Sequence, residues 1–339
     1  MAIRVLIVDD SATARMILSE ILSSDARIEV VGTAQDAYVA RDKVVELKPD
    51  VVCLDVEMPR MDGVTFLQKL MQHFPTPVVM VSSLTRKSAK VTLDALEAGA
   101  IDYVAKPHSN IYDGKDLIAK ELIEKVVAAS YAVVRKRVAP LKIDQKLSIA
   151  ETTKKLIVIG SSTGGTEALK TVLSGLPKNS PAVLIVQHMP QTFVPSFAQR
   201  LNSICDIDVR VAQNGEFLQI GTALICPGGL HMVLRRSGAR YYVEVGSGKN
   251  VNGHCPSVDV LFNSVSKVAG SNAVGVILTG MGNDGAKGML HLHNEGAKTI
   301  AQSEATCVVY GMPKEAVKLN AVDKVVDLEK ISSEILKVL

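Results

Sequence analysis

The chain has 339 residues, 47% of them hydrophobic and 22% charged, a length that favours two domains and a composition that excludes disordered and fibrous classes. Its formal charge of +3 is too small to signal a nucleic-acid partner, because positive residues cluster only between Arg135 and Lys155. No run of about 18 apolar residues occurs, and Met1-Ala2-Ile3-Arg4 leads straight into a strand pattern, so neither direct membrane insertion nor a signal peptide is expected and a cytoplasmic location is. Five scattered cysteines (Cys53, Cys205, Cys226, Cys255 and Cys307) without a CxxC pair read as reduced structural thiols.

In the first half, apolar runs at Val5 to Val8, Val30 to Ala34, Val51 to Leu54, Val78 to Val81 and Tyr103 to Ala105 read as strands. They alternate with helical spacing over Ala12 to Leu22, Asp36 to Leu47, Gly63 to His73 and Lys87 to Ala98. The alternation predicts a parallel sheet with helices on both faces. Asp9 and Asp10 close the first strand, Asp55 the third, Ser82 the fourth and Lys106 the fifth. Ligands of such sheets bind beyond the carboxyl ends of the strands, so these side chains should share one crevice. Carboxylates gathered there repel unless a hard cation joins them, and magnesium suits the set. Asp55 is then a candidate nucleophile toward phosphoryl, with Lys106 and Ser82 placed to hold phosphoryl oxygens. One acidic strand end would read as a solvated turn, but five residues in register do not.

Leu6-Ile7-Val8-Asp9-Asp10, the run Asp55-Val56-Glu57-Met58-Pro59-Arg60-Met61-Asp62-Gly63, and Lys106-Pro107 resemble the signature of two-component response-regulator receivers. The resemblance implies a flavodoxin-like sheet of order 2-1-3-4-5 and a histidine kinase as phosphodonor to Asp55. It also implies magnesium at Asp10, Asp55 and the Glu57 backbone carbonyl with Asp9 in support, and Ser82 and Tyr103 as the switch hydroxyl and aromatic.

A helix from about Tyr112 to Ala129 follows, and periodicity then dissolves through Arg135-Lys136-Arg137 and Pro140 to about Thr153. The expected limits are 1–121 for the first domain, 122–152 for a linker and 153–339 for the second domain. That second domain alternates again, with strands at Leu156 to Ile159, Val183 to Val186, Ala223 to Ile225, Val274 to Leu278 and Thr299 to Ala301. It predicts a doubly wound α/β fold with a mostly parallel sheet. Met232 to Arg235 and Tyr241 to Val245 flank Ser237-Gly238 and read as a β-hairpin inserted on an edge.

Leu156 to Gly165 reads as a strand running into a small-residue turn and then a helix, and Gly160-x-Ser162-x-Gly164 has the frame of a nucleophile elbow. The same pattern could cradle a phosphate or dinucleotide on the helix N-terminus, although the full GxGxxG fingerprint and the P-loop lysine are absent. Gln187-His188-Met189-Pro190 ends the next strand, where a general base for Ser162 is needed. The Gly-rich turn Leu278 to Ala286 ends a later one and carries Asp284, which could orient the imidazole. Backbone amides of Thr163 and Met281 are oxyanion candidates. Asp259 reads as a first-turn helix charge, His254-Cys255 as a loop, and His291 with His293 as residues on different helix faces.

From about Lys155 onward the chain resembles the catalytic domain of chemotaxis protein-glutamate methylesterases of the CheB type, through Gly160 to Gly165, Gln187 to Pro190 and Thr279 to Gly285. The resemblance implies a Ser162, His188 and Asp284 triad, demethylation of glutamate methyl esters and deamidation of glutamines on methyl-accepting chemotaxis receptors. It further implies control by the receiver, which would pack over the triad until Asp55 is phosphorylated, and recruitment to membrane receptor arrays. A transcriptional regulator would instead need a helix-turn-helix output with a basic recognition helix, and a silent scaffold would have no reason to place Ser, His and Asp at three strand ends.

Overall fold

The computed structural model describes residues 2–83, 85–106, 115–132 and 155–339, and the chain divides into two compact units. Pro107 and most of the expected linker, including Arg135 to Arg137, lie outside the described residues.

The first unit is a five-stranded sheet of order β2-β1-β3-β4-β5, parallel throughout, as expected. Its strands are β1 (Ile3–Val8), β2 (Ile28–Ala34), β3 (Val51–Asp55), β4 (Val78–Ser82) and β5 (Asp102–Ala105). Strands β3, β4 and β5 are buried at every position, which is why they read as unbroken apolar runs. The helices are α1 (Ala12–Ser23), α2 (Ala37–Leu47), α3 (Gly63–His73), α4 (Arg86–Ala98) and α5 (Lys115–Ser130). Side chains of Ser11, Asp36, Asp62 and Thr85 cap the first four by accepting N–H groups of the opening turn. Helix α5 runs through the expected limit at 121, and its Leu122 and Val126 are fully buried, so the first unit extends at least to Ser130.

The second unit holds a seven-stranded sheet in which every pairing is parallel, ordered β15-β14-β13-β6-β7-β10-β8. The central members are β6 (Leu156–Ser161), β7 (Val183–Gln187), β10 (Thr222–Ile225) and β13 (Ala273–Ile277), all buried throughout. Beside β13 lies β14 (Lys298–Gln302). Two edge strands escape sequence reading: β8 (Asp208–Val211) and β15 (Lys324–Val326) are short and partly exposed, so neither forms an apolar run.

The expected hairpin exists as β11 (His231–Ser237) and β12 (Arg240–Gly246). It does not extend the main sheet. Instead β12 pairs with the two-residue β9 (Glu216–Phe217), making a separate antiparallel sheet. This sheet is tied to α8 (Val258–Ala269) where the Leu234 N–H donates to Ser264 Oγ at 2.8 Å. The remaining helices are α6 (Gly165–Ser174), α7 (Val194–Asn202), α9 (Ala286–Asn294), α10 (Met312–Lys318) and α11 (Leu328–Val338).

From β6 the chain proceeds through β7 to one side of the sheet and later returns to build β13, β14 and β15 on the other. The change of direction opens a crevice at the carboxyl ends of β6 and β13, where ligands of such sheets bind. Phe262 of α8 is fully buried in the core cluster beside this crevice, with Leu156, Val158, Val265 and Met289. Phe262→Ala should lower the unfolding free energy of the second unit by about 3–5 kcal/mol, measured by denaturant titration. A loss below about 1 kcal/mol would show that this core does not hold α8 in place.

Candidate active site

Three strand ends supply the crevice of the second unit. Ser161 pairs with Gln187 as the last residues of β6 and β7, so Ser162 and His188 leave adjacent strands side by side. Gln187 binds this corner together. Its Oε1 accepts from Ser161 Oγ at 2.7 Å, and its Nε2 donates to the carbonyls of Ser162 at 3.0 Å and His188 at 3.2 Å. Beyond Ser162 the chain turns through Gly164 at φ 77, a left-handed conformation that disfavours any side chain, and enters α6.

The loop after β13 closes the other side. The Ser162 N–H donates to the Thr279 carbonyl at 3.0 Å, and a Cβ on Gly280 would stand 2.7 Å from Ser162 Cβ. Glycine at 280 therefore permits the approach. Thr163 is buried, and its carbonyl accepts from Thr279 Oγ1 at 3.0 Å. The Met281 N–H donates to no backbone carbonyl among the described residues.

Asp284, 1% exposed, faces His188 Nε2 at 2.9 Å. Its carboxylate also accepts from Asn252 Nδ2 at 2.8 Å, Ser257 Oγ at 2.8 Å, and the N–H groups of Val258 at 2.7 Å and Asp259 at 3.3 Å. The last two open α8, so the carboxylate sits on a helix N-terminus, where negative charge is favoured. Burial opposes ionisation, but the hydrogen bond and charge of His188 and the bonds from Asn252 and Ser257 outweigh it, holding the carboxyl well below its usual range. With Nε2 committed to Asp284, the other ring nitrogen of His188 remains. That Nδ1 is buried and has no hydrogen-bond partner among the described residues. The structure thus joins His188 to Asp284 and sets Ser162 on the neighbouring strand end without a hydrogen bond to the imidazole, a bond that commonly tightens only when substrate is present.

Asp259 does lie in the first turn of α8, as expected from sequence, but it is also buried and accepts from Gly288 N–H at 2.6 Å and Asn252 Nδ2 at 2.7 Å. Asn252, Ser257 and His254 all reach the His188 and Asp284 pair, and sequence reading missed all three. Asn252-Gly253 is legible as a tight turn and Ser257 as a helix start, but neither signal says what lies opposite. His291 bonds Asn263 and His293 lies 3.4 Å from Asp323, so the two histidines face different partners.

In the first unit, Asp9, Asp10 and Asp55 place carboxylate oxygens within 4.8 Å of one another. Lys106 Nζ lies 2.7 Å from Asp55 Oδ2 and 2.9 Å from Asp9 Oδ2, although the latter oxygen accepts no aligned hydrogen bond. Burial pushes Asp55 up to about 6 against the pull of Lys106, with the Asp9 charge adding to the rise. Burial also opposes the charge of Lys106, but the hydrogen bond to Asp55 and the nearby charges of Asp55 and Asp9 overcome it and raise its pKa. One ammonium among three carboxylates leaves negative charge uncompensated and hard oxygens free to coordinate, which fits a divalent cation such as magnesium.

The Glu57 N–H donates to Asp55 Oδ1 at 3.3 Å. Ser82 is fully buried; its Oγ accepts from Thr92 Oγ1 of α4 at 3.0 Å and donates to the Ser83 carbonyl at 3.3 Å, so it is engaged away from Asp55. Tyr103 is buried with Lys125 Nζ 4.8 Å from its ring centroid, and that ammonium donates to the Tyr103 carbonyl at 2.6 Å.

Family models match the chain twice: "CheB methylesterase" over residues 157–335 and "Response regulator receiver domain" over residues 5–113. A protein-glutamate methylesterase/protein-glutamine glutaminase of Sulfurimonas denitrificans is 59% identical, with 100% of this chain and 99% of the relative aligned. One of the same name from Salmonella typhimurium is 54% identical over 98% of this chain and 96% of its own length. The crystal structure of the Thermotoga maritima CheB methylesterase catalytic domain is 36% identical, covers 55% of this chain and 98% of its own, and superposes with a TM-score of 0.54. No helix among the described residues is long and apolar enough to cross a membrane. A receiver-type sheet with its acidic strand ends, followed by a parallel sheet with Ser, His and Asp at its switch point, thus agrees with two family matches in the same order: the chain belongs to the CheB methylesterase family, with a response-regulator receiver domain preceding the catalytic domain.

Proposed function

We propose that the chain is a phosphorylation-controlled serine hydrolase that releases methanol from glutamate methyl esters of methyl-accepting chemotaxis receptors and deamidates receptor glutamines. The observation that carries the reading is the pair of His188 with the buried Asp284, with Nε2 bonded to the carboxylate and Nδ1 without a hydrogen-bond partner among the described residues, beside the strand end that bears Ser162. Ser162 Oγ attacks the γ-carbonyl carbon while His188 Nδ1 takes its proton. Asp284 stabilises the imidazolium that forms. The oxyanion accepts from the N–H groups of Met281 and Thr163, each such donor being worth roughly 10²–10³ in rate. Methanol, or ammonia from an amide, leaves with the proton from His188. Water activated by the same imidazole then cleaves the acyl-serine ester and frees Ser162.

In the receiver, Asp55 accepts phosphoryl from a chemotaxis histidine kinase, and Lys106 and Ser82 hold its oxygens. Asp10, Asp55 and the Glu57 carbonyl would hold magnesium, with Asp9 in support. When bound, the ion neutralises charge that builds on the phosphoryl oxygens. Phosphorylation relieves inhibition of the catalytic domain by the receiver, with Tyr103 following the Ser82 switch. The protein works where its receptors are, at membrane receptor arrays.

Ser162→Ala should abolish methanol release from methylated receptors, and Asp284→Asn should lower kcat by roughly 10⁴ through the wrong imidazole tautomer. Full activity in Ser162→Ala contradicts the assignment. Acetyl phosphate should stimulate the unaltered protein and leave Asp55→Ala at its basal rate; equal stimulation of both would remove Asp55 from the switch.

Without divalent cation, the ionised, nucleophilic fraction of Asp55 should fall roughly tenfold per pH unit below its value of about 6. Magnesium favours the charged form, so the midpoint of the phosphorylation rate should move lower as magnesium is added. A midpoint indifferent to magnesium contradicts the metal assignment. The same shift has a stability consequence: with the folded value raised to about 6 and the unfolded one about 3.9, only the folded state holds the proton between them. Receiver stability without metal should therefore fall as pH rises across that window and level off above it, as read by urea unfolding.

A further inference from the structure

The segment Val251-Asn252-Gly253-His254 is a closed two-residue turn. The Val251 N–H donates to the His254 carbonyl at 3.0 Å, and the His254 N–H returns to the Val251 carbonyl at 2.9 Å. Asn252 at φ 53 and Gly253 at φ 85 give the left-handed pair that an Asn-Gly turn favours, so the positions of its side chains are well defined relative to one another. Two of those side chains reach the catalytic pair. Asn252 Nδ2 bridges Asp284 Oδ1 at 2.8 Å and Asp259 Oδ2 at 2.7 Å. His254 lays its ring on that of His188, with centroids 3.8 Å apart and planes 13° from parallel.

A single hydrogen bond at Nε2 fixes one corner of the His188 imidazole and leaves the ring free to swing about that contact. Nδ1, on the far side of the ring, would move most. A second flat ring in van der Waals contact blocks the swing, because turning His188 would drive its edge into His254. The Asn252 bridge meanwhile holds the turn against the same carboxylate that orients His188. Proton transfer depends steeply on such placement, and misplacing a reacting group by about 1 Å can cost roughly 10²-fold in rate.

We infer that His254 is a positioning residue of the acyl-transfer site, a stacked platform on the Asn252-Gly253 turn that fixes the ring plane of His188 and so keeps Nδ1 where the Ser162 proton must go. The inference rests on the proposed roles of Ser162 and His188. It depends on flatness and contact, so an uncharged aromatic ring should substitute for the imidazole.

The test measures methanol release from methylated chemoreceptors in membranes by the full-length protein, with kcat and KM separated and Ser162→Ala as reference. His254→Ala should lower kcat about tenfold or more with KM within about twofold, and His254→Phe should recover to within about threefold of the unaltered enzyme. Three results would overturn the inference while Ser162→Ala stays inactive: an undiminished kcat in His254→Ala, an effect confined to KM, or equal kcat losses in His254→Ala and His254→Phe. An active Ser162→Ala would instead strike the underlying reading. Should thermal melting show His254→Ala unfolded, the comparison passes to His254→Leu against His254→Phe, where equal kcat values overturn the platform.

Discussion

An ionised carboxylate taken out of water costs several kcal/mol unless donors meet its charge, and Asp284 is buried and charged beside a helix N-terminus. Five donors from three stretches of chain converge on it: an imidazole, a carboxamide, a hydroxyl and two backbone N–H groups. The arrangement holds the crevice together, since losing any donor leaves a buried charge less compensated. It also constrains proton location. A carboxyl held well below its usual range stays ionised at neutral pH, accepts from Nε2–H, and leaves Nδ1 as the basic nitrogen. With its pKa depressed on folding, Asp284 stabilises the fold above about pH 3.9, a contribution lost as pH falls toward the folded value.

The two units solve opposite electrostatic problems at equivalent strand ends. In the catalytic domain the Asp284 carboxylate is saturated with donors. In the receiver, Asp55 has Lys106 and the Glu57 N–H against the penalty of burial and the charge of Asp9, so its pKa rises to about 6. An under-compensated carboxylate close to protonation at neutral pH is a group that gains from a cation. Saturation suits the orienting role proposed for Asp284, and deficit suits the metal-binding and phosphoryl-accepting role proposed for Asp55.

Both sheets were legible because central parallel strands are buried on two faces and must be apolar along their length, as in Val51 to Leu54 and Leu156 to Ile159. Strand ends then located Asp55, Lys106, Ser162 and His188 without any knowledge of packing. Edge strands carried no such signal: β15 is Lys-Val-Val with two exposed positions, and β9 is a two-residue strand that exists only because β12 pairs with it. The helical pattern of α5 was legible to about Ala129, one residue short of its end at Ser130, but periodicity alone does not say whether such a helix belongs to the domain or to the linker after it. The supporting residues of the site were beyond reach for a different reason. Asn252 lies 32 positions from Asp284, and nothing in an Asn-Gly dipeptide tells which carboxylate it will face. Burial of Asp259 was hidden for the same cause, since a first-turn acid looks alike whether it meets water or the Gly288 N–H.

The central claim, that Asp284 fixes an imidazole which activates Ser162, is most directly tested by reacting the full-length protein with a fluorophosphonate at neutral pH and locating the adduct by mass spectrometry of its peptides. The account predicts one phosphonyl group, on Ser162, with labelling reduced by orders of magnitude in Asp284→Asn. An adduct on another residue, or undiminished labelling of the Asp284→Asn protein, would contradict it.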